Sequence, residues 1–94
     1  MSEELKQYRI IVKGIVQGVC FRYYTKLKAE ELKINGWVRN KKDGSVEIVA
    51  QGQKSSLDAF INWCRQGPSN AKVKEIEVKE EDFSERLDGF YIKL

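Results

Sequence analysis

Between Gly14 and Arg22 the hydrophobic period of this chain changes from that of a strand to that of a helix, and few architectures accommodate such a switch. Upstream, Tyr8, Ile10 and Val12 alternate with Arg9, Ile11 and Lys13, the pattern of a strand with one face on a core and Ile11 as the exception. Downstream, Phe21, Thr25, Ala29 and Leu32 recur at helical spacing with Tyr24 alongside. Lys26, Lys28, Glu30 and Glu31 fall mostly on the other side, so a helix of roughly three turns follows. The joining stretch, Gly14-Ile15-Val16-Gln17-Gly18-Val19-Cys20-Phe21-Arg22, carries two glycines four apart, which let the backbone turn sharply and present its amides. Arg22 then falls at a helix N-terminus, where unpaired N–H groups and the helix dipole favour an anion. The stretch reads either as a phosphate or carboxylate site or as a plain strand-to-helix turn with a surface arginine.

The remaining elements follow from the same periods and from turn chemistry. Asn35 and Gly36 read as a turn and Trp37 to Asn40 as a short strand. Lys41-Lys42-Asp43-Gly44 then leads through a hairpin into a strand that buries Val46, Ile48 and Ala50 and ends at Gly52. Ser55 with Asp58 resembles a capping box, and Leu57, Phe60, Ile61 and Cys64 at i, i+3, i+4 and i+7 make the core stripe of a second helix. Gly67 and Pro68 stop it. Val73, Ile76 and Val78 mark a further strand, Glu80 to Glu85 an acidic loop, and Phe90, Ile92 and Leu94 a terminal strand. Two strand-helix-strand halves with right-handed crossovers put both helices on one face of a largely antiparallel sheet of four to five strands. The expected fold class is α/β, in the α+β sense: a ferredoxin-like open-faced sandwich.

Composition narrows the chemistry. Ninety-four residues without a break in composition make one small domain, residues 1–94. The apolar residues come in short groups with no membrane-spanning run, and the Ser-Glu-Glu start lacks a signal peptide's basic and apolar regions, so the expected location is the cytoplasm. Monomer is the expected state for a chain with no obvious exposed apolar stripe. Cys20 and Cys64 form neither a disulfide framework nor a metal-ligand spacing, and both read as reduced thiols, Cys64 in the core. Residues 1–47 carry ten Lys and Arg against six Asp and Glu, a balance of +4, whereas residues 48–94 carry seven against eight, −1. The positive excess accompanies the opening stretch and suits a small anionic ligand. There is no histidine, which removes the commonest general base and the commonest zinc ligand together.

Several chemistries fail on spacing. A nucleotide-binding P-loop needs a longer glycine loop ending in Lys and Ser or Thr, and here Val19 and Cys20 follow Gly18. A cysteine phosphatase would set its arginine a full loop beyond the nucleophile, whereas only Phe21 separates Cys20 from Arg22. Cys20 is therefore read as a loop residue, although its place near a helix N-terminus could lower its pKa. An RNA-recognition module shares the fold, but its central strand should expose alternating aromatics, and Val46 to Ala50 offers Glu47 and Val49 instead. A regulatory or structural domain that holds an anion without turnover stays open. Asn40 discriminates: where a strand enters a hairpin it is either a turn former or an amide able to hold a water against a phosphoryl group across the sheet. Arg22 has an alternative as well, as a surface ion-pair partner, although the neighbouring Lys26 and Lys28 disfavour another cation with no anion to share.

Gly14 to Arg22, followed by Gly36-Trp37-Val38-Arg39-Asn40 and Asp43-Gly44-Ser45-Val46-Glu47, closely resembles the acylphosphatase family, and Gly67-Pro68, Ala71, Val73 and Phe90 to Ile92 extend the match along essentially the whole chain. The resemblance implies a ferredoxin-like fold and hydrolysis of the carboxyl-phosphate bond of acyl phosphates to a carboxylate and inorganic phosphate. It implies Arg22 as the phosphate-binding residue and Asn40 as the residue that positions the attacking water. The expected phosphate cradle is the run Gln17, Gly18, Val19, Cys20, Phe21 and Arg22. No cofactor, metal, nucleic acid or membrane is expected as partner, only the acyl phosphate and its products. A compact pocket that grips mainly phosphate leads us to expect broad tolerance of the acyl group. Two departures stand out: Cys20, where family members often carry a glycine or an aromatic, and Lys33, where many have a glycine closing the first helix. A left-handed Lys33 would lose roughly 1 kcal/mol.

Overall fold

The computed structural model describes residues 4–83 and 85–94. Its elements, in chain order, are β1 (Leu5–Ile15), α1 (Phe21–Glu31), β2 (Asn35–Asn40), β3 (Val46–Gln53), α2 (Lys54–Gln66), β4 (Lys72–Glu81) and β5 (Phe90–Ile92). The five strands form one sheet in the order β4-β1-β3-β2-β5, antiparallel except that β5 runs parallel to β2. Each helix links two strands that flank a third, so the chain builds two split strand-helix-strand units. The ferredoxin-like expectation holds.

The alternation read from the sequence assigns the sheet's faces. Ile10, Val12, Val38, Val46, Ile48 and Ala50 meet Phe21 and Ala29 of α1 and Leu57, Phe60 and Cys64 of α2 in one core, with Ile61 packed partly buried against it. Phe60 and Phe90 pack edge-on with ring centres 6.2 Å apart. Each such buried ring contributes about 1.5–3 kcal/mol. Burial pushes the Cys64 thiol far above its usual pKa, as befits a core residue.

Pairing overrides local turn and end signals at three places. Asn35 and Gly36 are strand, not turn, because β3 offers them partners in Gln51 and Ala50. Gly36 has φ 145 and a Cβ there would fall 1.8 Å from the Val49 carbonyl oxygen, so glycine is demanded by strand approach rather than by a reversal. β3 likewise continues past Gly52 to Gln53, held by Lys6 and Leu5 of β1. It passes directly into α2, so Gln53 is the N-cap, Ser55 lies inside the first turn, and the expected capping box does not form. Asp58 accepts from Lys54 Nζ at 2.9 Å instead.

Glu80 and Glu81 belong to β4 rather than to a loop, because Tyr8 and Gln7 extend the ladder to them. Ser84, within the expected acidic loop, and Ser2 and Glu3 of the opening lie outside the described residues. Leu94 lies beyond the end of β5 and is fully exposed. Lys33 does adopt the left-handed region, at φ 59. Its N–H donates to the Glu30 carbonyl at 3.2 Å and that of Ile34 to the Ala29 carbonyl at 2.8 Å, the paired bonds of a Schellman cap.

Candidate active site

The loop between β1 and α1 is anchored at both ends before it offers any chemistry. β1 bulges between Lys13 and Gly14 where it pairs with β4. Gly14 has φ 134, and a Cβ there would lie 2.1 Å from the Lys72 carbonyl oxygen, so this glycine lets two backbones approach inside the sheet. Gly14 therefore belongs to the strand, a correction to its reading as a loop former. The loop proper is Val16 to Cys20. Val16 is buried in the core and Val19 packs against it, which sets the loop's height above the sheet.

Gln17 does something its sequence position did not advertise. Its side-chain Nε2 donates to the Lys41 carbonyl at 2.7 Å and to the Ser45 carbonyl at 2.9 Å, the two residues that close the β2–β3 hairpin. That hairpin is independently tight: Lys41 N–H donates to the Ser45 carbonyl at 2.8 Å, and the Ser45 hydroxyl donates to Asp43 Oδ1 at 2.6 Å. The Ser45 hydrogen bonds hold the Asp43 carboxyl below its ordinary pKa, with Lys41 and Lys13 adding smaller effects. Gln17 thus ties the loop to the turn that follows Asn40. Only a residue pairing across the sheet could reveal this, since Gln17 and Lys41 are far apart in sequence.

Beyond the loop, Cys20 is the N-cap of α1 with φ 61 and ψ 23, a left-handed conformation, and it makes no side-chain cap hydrogen bond. The N–H groups of Phe21, Arg22 and Tyr23 consequently have neither an intrahelical carbonyl nor a cap, and no acidic side chain lies in that first turn. Arg22, partly exposed, takes part in no side-chain hydrogen bond or ion pair among the described residues. The nearby cations are engaged: Lys26 pairs with Glu30 at 2.7 Å and Lys28 with Glu31 at 3.0 Å. The ion-pair alternative for Arg22 therefore falls away.

Asn40, the last residue of β2, lies on the same cleft. A cleft of about 370 Å³ is lined by Gly18, Cys20, Arg22 and Asn40, with Val16, Phe21, Tyr23 and Ile92 completing it. Asn40 Oδ1 is buried and has no hydrogen-bond partner, alone in this among the side-chain polar atoms of the described residues. A turn-forming asparagine would spend that oxygen on a nearby N–H; here Asp43 makes the turn bond and Asn40 does not. Of the expected cradle, Gly18, Cys20, Phe21 and Arg22 line the cleft, while Gln17 holds the hairpin and Val19 faces the core. No group of three His, Cys, Asp or Glu side chains among the described residues is arranged to hold a metal ion.

Fold and cleft together define a small ferredoxin-like domain in which the start of the first helix, an arginine without a partner among the described residues and Asn40 line one cleft. The family model Acylphosphatase matches residues 8–92. The chain is 42% identical over 92 residues to an acylphosphatase of Rubrobacter xylanophilus, covering 98% of this chain and 84% of that one. It is 48% identical over 84 residues to one of Bacillus licheniformis, covering 89% and 90%. The crystal structure of acylphosphatase from Bacillus subtilis superposes with a TM-score of 0.92 at 43% identity, over 97% of this chain and 100% of that chain. The chain belongs to the acylphosphatase family, and it is accordingly an enzyme of the hydrolase class.

Proposed function

We propose that hydrolysis of the acyl phosphate proceeds by in-line attack of a water held by Asn40 on a phosphoryl group gripped by Arg22 and the amides at the start of α1. The observation that supports this reading is that Asn40, whose buried Oδ1 has no partner among the described residues, lines the same cleft as Arg22. A planar guanidinium makes two parallel hydrogen bonds to phosphoryl oxygens, and the helix N-terminus supplies more N–H donors where negative charge collects. Asn40 Oδ1 accepts a hydrogen bond from the water and so points its lone pair at phosphorus. The new bond forms between the water oxygen and phosphorus, the bond from phosphorus to the acyl oxygen breaks, and the water's proton passes to a phosphoryl oxygen of the substrate itself.

A chain without histidine can run this reaction because the leaving group is a carboxylate. Its conjugate acid has a pKa near about 4.3, so it departs without a proton from a general acid, and positioning with charge stabilisation is what remains for the protein to supply. The site is complete within one chain, which supports a monomer, and two unpaired thiols suit a reducing cytoplasm. Release of inorganic phosphate from benzoyl phosphate in the presence of a chelator tests the reading. Turnover should persist with the chelator, and Cys20→Ala should keep it. An anion-binding module without turnover would release no phosphate, and a cysteine nucleophile would make Cys20→Ala inactive with its fold intact.

A further inference from the structure

We propose that Tyr23 is the specificity-determining residue for the acyl group, presenting a ring face on which an aromatic acyl group of the substrate stacks. This rests on the reading that Asn40 aims the water. In-line displacement sends the leaving carboxylate out on the side of phosphorus away from that water. With the water at Asn40 and the phosphoryl oxygens on Arg22 and the helix amides, the acyl group passes the walls that serve neither purpose. Of these, Val16 and Phe21 are each 1% exposed and committed to the core, and Ile92 packs partly buried against it. Tyr23 is 53% exposed and lines the same cleft.

The ring of Tyr23 is also available. Its ring contact is with Tyr24, edge to face at 5.6 Å, an arrangement that covers at most one face of Tyr23. Tyr24, itself exposed, lines a neighbouring depression with Trp63 and Pro68, so aromatic surface continues outward from the cleft. Neither tyrosine belongs to the core cluster, whose aromatic packing at this end is made by Phe21 against Trp63 at 5.7 Å. An exposed ring next in sequence to Arg22 thus stands outside the core, its ring contact being with the equally exposed Tyr24. Tolerance of the acyl group is broad but graded: a phenyl ring is favoured over a methyl group by about 2- to 10-fold, the range for a single aromatic stacking contact. Because the ring contact is made equally in the ground and transition states, the preference enters through KM and leaves kcat alone.

The test is kcat and KM for benzoyl phosphate and acetyl phosphate, measured on the full chain and on Tyr23→Ala and Tyr23→Phe. Taking the ratio of the two substrates in each protein, and comparing variants with the parent, cancels their intrinsic difference in reactivity. Alanine is a better helix former than tyrosine, and a thermal melt confirms the fold. Tyr23→Ala should lower the benzoyl-to-acetyl ratio of kcat/KM by about 2- to 10-fold through KM, and Tyr23→Phe should restore it. An unchanged ratio in Tyr23→Ala, with both substrates turned over, overturns the subsite and leaves the active site standing. Failure of the parent protein to hydrolyse either substrate overturns the active-site reading and the subsite with it.

Discussion

Two arginine settings in this small protein invite comparison. On the open face of the sheet, Arg9 and Arg39 are both bound to Glu47, at 2.5 Å and 2.6 Å, and Arg9 reaches Glu81 at 2.6 Å as well. Their guanidinium groups lie 5.9 Å and 5.6 Å from the centre of the Trp37 ring, and Val49 is buried between the strands that carry Arg9 and Trp37. Arg9, Arg39, Glu47 and Glu81 each find a partner within this cluster. At the cleft, neither Arg22 nor the Asn40 oxygen has a side-chain partner among the described residues. The same residue type is a structural clasp where carboxylates face it and stays uncommitted where the protein offers it no carboxylate.

The comparison is broken most directly at Arg22. Arg22→Ala should lower kcat/KM for benzoyl phosphate by at least about a hundredfold, the scale for losing a transition-state charge stabiliser. Its melting temperature should scarcely move, since no partner is stranded. Normal turnover by the folded variant would sink the site. Lysine at this position should rescue poorly, because it lacks the fork that meets two oxygens.

Asn40→Ala should split binding from chemistry. We expect kcat to fall by about a hundredfold while inorganic phosphate still binds, measured as competitive inhibition or by calorimetry. Stability should change by under about 1 kcal/mol because the oxygen removed had no partner to lose. Loss of phosphate affinity equal to the loss of kcat would mean that Asn40 holds the anion rather than the water.

Glu47→Gln tests the opposite setting. Burial alone would raise the Glu47 pKa, but the hydrogen bonds from Arg39 and Arg9 outweigh it and hold the carboxyl below its ordinary value. A carboxylate whose folded pKa is depressed adds stability above its unfolded pKa, and that stability is lost as pH falls through the folded one. The folded state should therefore weaken as pH drops below 4.5, the ordinary value for this group. Glu47→Gln should destabilise by about 1–2 kcal/mol at neutral pH, a buried-pair loss discounted because both arginines are partly exposed. It should also flatten that acid slope, in urea unfolding at a series of pH values, with turnover kept. Glu81, lowered by Arg9 and Gln7 against its own burial, should leave part of the slope in place.

The smallest effect belongs to backbone strain. Lys33→Gly should stabilise by about 1 kcal/mol, since glycine occupies the left-handed cap without steric conflict. Thermal unfolding should shift upward by about 4–8 °C for a domain of this size, and activity should not change. No shift would mean that the freedom glycine gains in the unfolded chain cancels the relief.

Much of this molecule is legible in its sequence. Period and turn chemistry located both helices and the strand cores, because burial of one face dictates the spacing of apolar residues whatever the partner. The ordered run from Gly14 to Arg22, with Asn40 beyond the helix, named the family and its candidate residues. Boundaries failed where pairing outvoted local preference: Asn35 and Gly36 read as turn, Glu80 and Glu81 as loop and Gly52 as a strand end, yet all lie within strands because a neighbouring strand had free hydrogen-bonding groups to offer them. Residue type and spacing determined by themselves that an arginine would stand at a helix start and that no histidine could serve it. Only the tertiary structure decided that Gln17 would hold the hairpin, that Glu47 would satisfy two other arginines, and that Arg22 would be left over. Charge satisfaction is a property of who stands within a few ångströms, and distance in sequence does not encode it.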